Sequence, residues 1–365
     1  MTRLASLALL LPALLCAGTL TYTATFSPSE LRFMQADGYD VVEMARGIVV
    51  PDPGKPSLPE VPVTLLVPAG ARVTGVTVTP VATIDVAGTF NLRPSQPARP
   101  ISKPGVDLVG PDPTVYSSSQ AYPNRDCREF RAGSAAGFRL VAVDLLPLQY
   151  HPIEGRLVLA TRMRVQVDFD EGAAPGPALT GLQRDRAAAS LGALVANASD
   201  MARFSPRVVE TDLPEISYLV VTNDALAPEF QPFLDYRTSR GLRTELRTVE
   251  WISRNYQGRD LQERIRNLVT DYFQHRGLSY VLLAGDNLQV PGRRIRLDVF
   301  DETGDIPTDL YYGDLDFSWD SNHNNVFGEM DDSVDLYADV LVGRASADKV
   351  SEVRNFIAKV SGSSK

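Results

Sequence analysis

Apolar and polar positions change their rhythm once along the chain, near residue 205. Before it, short runs alternate between apolar and polar or small residues and are separated by Gly and Pro. Val61-Pro-Val-Thr-Leu-Leu-Val67, Ala71 to Val78, Phe138 to Leu146, Arg156 to Ala160 and Met163 to Phe169 are the clearest. A period of two with regular turn signals predicts an antiparallel β-sandwich over residues 20–170. The stretch from Arg93 to Arg125 is rich in Pro and Ser and predicts an extended excursion. Residues 171–177 read EGAAPGP and predict a linker; the whole segment 171–210 is expected to link two domains and to carry a helix over Gln183 to Ala198.

From Ile216 onward strands and helices alternate. Ile216 to Thr222 has the apolar density of a buried strand, and Pro228 to Arg240 the spacing of a helix, with Gly241 placed to end it. Leu242 to Val249 predicts a second strand. Asp260 is placed to cap a helix over Leu261 to Gln274, whose apolar residues recur at helical spacing. Ser279 to Gly285 is nearly all apolar, as in a strand covered on both faces. The alternation implies βαβ crossovers and a Rossmann-like parallel sheet over residues 211–365, ending in a helix from about Ala347 to Val360.

At the amino terminus, Arg3 precedes an apolar stretch from Leu4 to Ala17 broken only by Ser6 and Pro12, followed by small and hydroxyl residues. It is too short to span a bilayer, and residues 1–19 are expected to be an export signal cleaved near Ala17 to Thr19. No later apolar segment is long enough to cross a membrane, so a secreted or cell-surface protein is expected. With the signal removed Cys127 stands alone, so no intramolecular disulfide can form. Cys127 lies in a loop without a helix start to lower its pKa, which favours a structural thiol over a nucleophile paired with His151. A net charge of −9 and no basic stripe argue against a nucleic-acid partner. Arg184-Asp185-Arg186 reads either as solvated surface or as a processing site.

The order of pieces in the second region is specific. Tyr218-Leu-Val-Val-Thr222 is followed by Tyr280-Val-Leu-Leu-Ala-Gly-Asp286, then Asp309-Leu-Tyr-Tyr-Gly-Asp-Leu-Asp316. Next come a loop containing Trp319-Asp-Ser-Asn322, then Val342-Gly-Arg344 and a helix. This order resembles the first catalytic subdomain of the gingipain family of cysteine peptidases (peptidase family C25) over about residues 210–360. Gly54 to Pro59 with Val67-Pro-Ala-Gly70 is similar, more loosely, to that family's prodomain. The resemblance implies a caspase-like fold and an exported endopeptidase zymogen acting on proteins or peptides, with a cysteine nucleophile and a histidine base. After Arg344 the chain has neither residue, so no catalytic residue is carried over and the dyad is expected beyond this chain. Two alternatives remain: a relative serving secretion or surface processing, and a non-catalytic surface binding module.

Residues 320–331 place oxygen donors at loop positions one, three, five and twelve. Asp320, Asn322, Asn324 and Asp331 are thus candidate ligands for Ca²⁺, although glycine is missing at position six and the last ligand is Asp. Asp314, Asp316 and Glu329 add negative charge nearby, and the resembled family is known for bound calcium. The competing expectation is a solvated Asn-rich turn. His275 suits a helix carboxyl end and His323 an exposed loop. Asp286 is either a functional group at a strand's carboxyl end or a cap for the turn after it.

Overall fold

The computed structural model describes residues 16–98, 108–172, 176–299, 302–332 and 334–362. Residues 1–15 of the expected export signal, and 173–175 of the expected linker, lie outside the described residues. In the first region the strands are β1 (Cys16–Thr25), β2 (Leu31–Ala36), β3 (Tyr39–Met44), β4 (Val61–Val67) and β5 (Arg72–Val86). A one-turn helix α1 (Pro113–Tyr116) precedes β6 (Arg131–Ala135), β7 (Phe138–Leu145), β8 (Leu148–His151), β9 (Arg156–Glu171) and helix α2 (Gly181–Leu191).

All strand pairs here are antiparallel. One sheet runs β1-β9-β5 with β8 also on β9, another runs β4-β7-β6, and β2 and β3 form a hairpin. The β9 pattern explains the pairing. Leu157, Leu159, Met163, Val165, Val167 and Phe169 are buried at alternate positions, so one face of a long strand supplies much of the core. What reads in sequence as two short runs is one strand, because Arg162 stays in the ladder and Thr161 is taken up as a bulge instead of a turn. Leu65, Leu140 and Val165 share a single core with Ala187, Leu191 and Phe204, so α2 packs on the β-rich unit.

Helix α2 ends earlier than its composition suggests. Thr180 and Gln183 form a reciprocal capping box at its start, and beyond Gly192 the Asn197 amide bonds both backbone groups of Leu66. That fixes the chain on β4 rather than in another helical turn. Within the excursion after Arg93, α1 is capped by Asp112, and the Tyr116 hydroxyl donates to the Leu92 carbonyl at 2.7 Å. Proline and serine there did not prevent one packed turn.

The second region contains β10 (Tyr218–Thr222), α3 (Gln231–Ser239), β11 (Thr244–Thr248), α4 (Val249–Asn255), α5 (Leu261–Arg276) and β12 (Tyr280–Ala284). The hairpin β13 (Arg293–Val299) and β14 (Glu302–Thr308), then β15 (Leu341–Ala345) and α6 (Val350–Ser361), complete it. Strands β11-β10-β12-β15 form a parallel sheet in that order. Leu219, Val221, Val281 and Leu283 face a core with Ile252, Ile265 and Leu268 of α4 and α5. Val220, Leu282 and Ala284 face the opposite core with Phe230, Phe233 and Val353 from α3, α6 and the turn before α3. Helices on both faces account for strands that read as continuous apolar runs.

Two elements go beyond the periodicity. Helix α4 starts at Val249, which reads as the end of a strand, because the Thr248 hydroxyl caps the Trp251 N–H. The β13–β14 hairpin is announced by one strand only: Arg294 to Val299 alternate polar and apolar residues, whereas Glu302 to Thr308 carry Gly304 and Pro307. Helix α5 follows its signals: Asp260 accepts from Glu263 N–H at 2.9 Å, and Gly277 closes it with φ 76°.

Cys127 sits half-buried on the first core, bridged to Leu145. Burial, with Asp126 beside it, raises its thiol pKa. Cys127 is therefore expected to react with a disulfide reagent more slowly than free cysteine at neutral pH, and Cys127→Ser to keep stability within about 0.5 kcal/mol of the parent. A fast, stoichiometric reaction in the folded protein would count against a structural thiol.

Candidate functional site

Directly after the buried pair Tyr311 and Tyr312, the chain turns through Gly313 into Asp314, Leu315 and Asp316. It returns at Asp339, just before β15, where Asp339 N–H donates to the Gly313 carbonyl at 2.8 Å. This crossing brings carboxylate oxygens of Asp314, Asp316 and Asp339 within 4.8 Å of one another. Asp314 is 0% exposed and neither of its oxygens has a hydrogen-bond partner; the nearby Phe317 N–H closes no regular bond to it. Asp339 is 6% exposed, with one oxygen accepting from Leu315 N–H at 2.8 Å and the other unpartnered. Asp316 forms the exposed rim of the trio.

A fourth carboxylate, Asp335, joins this group to the β-rich unit. It accepts from Ser134 N–H at 2.6 Å and from Tyr337 N–H at 2.9 Å. The Ser134 hydroxyl bonds Asp316, and Arg139 of β7 faces both Asp316 and Asp335. Gly133 permits this approach, since a Cβ there would stand 2.5 Å from the Tyr337 ring and 2.8 Å from Asp335. Arg266 of α5 spends its hydrogen bonds on the carbonyls of Asp314 and Phe317, each at 2.7 Å, leaving the Asp314 carboxylate unpaired. Beside the cluster, a cavity of about 300 Å³ separates α2 from β12 and β15, with Asp339 and Gln183 in its wall. Gln183 spans it by donating to the carbonyls of Phe273 and Leu278 at 2.9 and 3.0 Å.

The electrostatics follow from this crowding. Burial first, then the charges of Asp335 and Asp316, push Asp314 up to about 7. Burial pushes Asp335 up to about 6, with Asp316 adding to it. Burial and the neighbouring carboxylates also raise Asp339 well above the usual carboxylate range. Such a cluster either shares protons or holds a cation.

The twelve-residue loop expected to take calcium is engaged with itself. Asp320 is buried; its carboxylate accepts from Arg259 at 2.5 Å and from Asn325 N–H at 3.1 Å, and the guanidinium holds it below the usual range. The amides of Asn322 and Asn324 donate to Glu329 at 2.8 and 2.5 Å, while Asp331 is exposed and Asp332 accepts from Ser321 and Glu329 N–H. A cation on Asp320 has to displace Arg259. In the sequence Asp314 and Asp316 stand out only as added negative charge. Their x-Asp-x-Asp spacing is a signal, but Asp339 joins them only through the fold.

The remaining candidates take local roles. Asp286 accepts from Leu288 N–H at 2.8 Å, the capping arrangement. His275 is exposed at the end of α5 beside Asp271, and His323 lies in an exposed turn with φ 60°. Arg184 and Arg186 are on α2, where Arg184 pairs with Asp185 at 2.7 Å and Arg186 lies over the Tyr280 ring. Among the described residues no helix is long and apolar enough to cross a membrane.

A family model described as peptidase family C25 matches residues 211–364, and the model of that family's propeptide matches residues 24–191. Among solved structures, the chain is similar to the complex of the pro- and mature domains of RgpB from Porphyromonas gingivalis. The identity is 18%, covering 41% of this chain and 78% of that one, with a TM-score of 0.34. A structure describing the zymogenic latency of gingipain K from Porphyromonas gingivalis aligns at 19% identity, covering 42% and 98%, with a TM-score of 0.33. The Arg-specific cysteine proteinase gingipain R aligns at 21% identity, covering 40% of this chain and 28% of that one, with a TM-score of 0.28. No curated protein matches the chain.

Proposed function

Because the chain belongs to peptidase family C25 and carries that family's propeptide, we propose that it is the amino-terminal part of an exported cysteine endopeptidase zymogen. In this reading residues 1–19 direct export, residues 20–170 form the prodomain and residues 171–210 connect it to the catalytic half. Residues 211–365 are the first subdomain of a caspase-like catalytic domain acting on protein substrates. The thiolate nucleophile and its histidine base lie in the part of the protein that follows Lys365.

The observation that carries the latency half of this reading is the contact of β6 with the acidic loop. Gly133 and Ser134 meet Asp335 and Tyr337 by backbone hydrogen bond and close packing, while α2 seals the flank through Gln183. A docked prodomain tied into the loop before β15 keeps the two halves together until proteolysis removes it.

The complete translation product tests the reading. It is expected to hydrolyse a protein substrate only after removal of the β-rich unit, and to lose that activity to a thiol-alkylating reagent. Gly133→Val, which drives a side chain into Tyr337 and Asp335, is expected to release activity from uncleaved protein. An uncleaved parent as active as the processed form rules out latency. Absence of thiol-dependent hydrolysis in the processed form rules out the peptidase.

A further inference from the structure

The cavity between α2 and the parallel sheet is apolar inside and carries one unneutralised charge at its mouth. Ala187 and Leu191 of α2 line one wall, Phe273 and Leu278 of the α/β half the other, enclosing about 300 Å³. Leu194 and Leu341 also line it, yet stand 52% and 58% exposed, so apolar surface continues to the opening. Arg186 lies there, half-buried, with its guanidinium 5.8 Å over the Tyr280 ring and 3.5 Å from the Ser279 hydroxyl. Its neighbour Asp185 is taken by Arg184, and among the described residues Arg186 forms no ion pair. Asp339, in the same wall, accepts instead from Leu315 N–H and faces Asp314 and Asp316. Tyr280 is itself stacked on Tyr218 at 5.9 Å. That support holds the guanidinium in place and leaves its in-plane N–H groups free for a carboxylate.

We propose that this cavity binds one medium-chain carboxylate, its hydrocarbon tail between α2 and the sheet and its head on Arg186 and the Ser279 hydroxyl. An apolar cavity of about 150 Å³ takes one benzene, so twice that volume suits a tail of about ten carbons. The carboxylate supplies the charge that Arg186 lacks, in the bidentate geometry a guanidinium favours. The site lies at the amino-terminal ends of β12 and β15, which begin at Tyr280 and Leu341, whereas α/β folds place reacting groups at the other end. The occupant is therefore an effector of docking and not a peptide being cleaved. Its walls come from the parts matched by the propeptide and peptidase models, so it binds while these are docked and holds them together. Prolonged latency as the consequence rests on the zymogen reading; binding itself does not.

Isothermal titration of sodium decanoate, below its micelle-forming concentration, into the full chain tests this, with decanol as the uncharged control and sodium acetate as the tail-less one. One decanoate per chain and a rise in melting temperature are expected, with both controls at least about 10-fold weaker. Arg186→Gln is expected to weaken decanoate roughly 10–100-fold and leave decanol unchanged, and Arg186→Lys to recover part of the loss. Ala187→Phe, which fills the cavity from α2, is expected to abolish binding; Arg186→Gln decides the matter if that variant does not fold. The proposal is overturned if decanoate gives neither heat nor a shift in melting temperature. It is equally overturned if decanoate binds Arg186→Gln as tightly as the parent, or at several equivalents per chain, as a soap does on exposed apolar surface. Equal affinity for decanoate and decanol also overturns it, since the head group then contributes nothing.

Discussion

Replacing Arg344 by alanine is expected to destabilise the α/β half by about 3–5 kcal/mol. Arg344 lies on β15 with its side chain only 14% exposed. It holds Asp309 with two charge-assisted bonds of 2.7 and 2.6 Å and donates to the carbonyls of Gly285 and Val290, both at 2.8 Å. One guanidinium thus ties β15, the end of β12 and the turn leading to Tyr311. Alanine leaves a partly buried carboxylate and two carbonyls without donors, and the cost of unpaired groups exceeds the net worth of the bonds themselves. Lysine cannot reproduce the fork and is expected to recover less than half of the loss. Urea unfolding measures both: a midpoint for Arg344→Ala within error of the parent would falsify this assignment.

In cation-free buffer the protein is expected to lose stability as pH rises from about 4 to about 7. Asp314 and Asp335 titrate near 3.8 when unfolded, and burial with mutual repulsion moves them to about 7 and about 6 in the fold. The folded chain therefore binds more protons than the unfolded chain between those values. The contribution is fully present below pH 4 and disappears as pH climbs through the folded pKa values. Asp260 and Asp320, whose pKa values are lowered by Arg293 and Arg259, lose their contribution only below that window and do not oppose the trend. Asp314, fully enclosed, accounts for roughly 2–4 kcal/mol of the change. Melting temperatures in EDTA at about pH 5 and pH 8 check it, with Asp339→Asn expected to flatten the slope. A melting temperature that rises with pH, or a slope unchanged by Asp339→Asn, contradicts the assignment.

What the sequence makes legible follows physical periodicity. The apolar runs of β10 and β12, the Asp260 cap and the Gly277 stop are local signals, and the structure carries each where the chain announces it. Helix α4 escapes because Val249 looks like strand and only the Thr248 cap turns it. The β13–β14 hairpin is half legible: Arg294 to Val299 alternate, but Gly304 and Pro307 break the pattern in its partner strand. The acidic site is half legible: Asp314 and Asp316 stand together in sequence, yet Asp339 reaches them only through the fold, by its N–H on the Gly313 carbonyl and its carboxylate on Leu315 N–H. The Asn-rich loop shows the reverse. Its donor spacing fits a calcium loop, but Arg259, distant in sequence, occupies Asp320. Spacing reports which groups are near along the chain and not which partner arrives from another element.

Under the proposed function, this chain opens a cysteine-peptidase zymogen. Determining the coding sequence beyond codon 365 tests it most directly. An open frame of about one further subdomain, containing a histidine and then a cysteine after strand-forming runs, is expected. A stop codon directly after Lys365, or a continuation without that pair, contradicts it and leaves a C25 fold without peptidase chemistry.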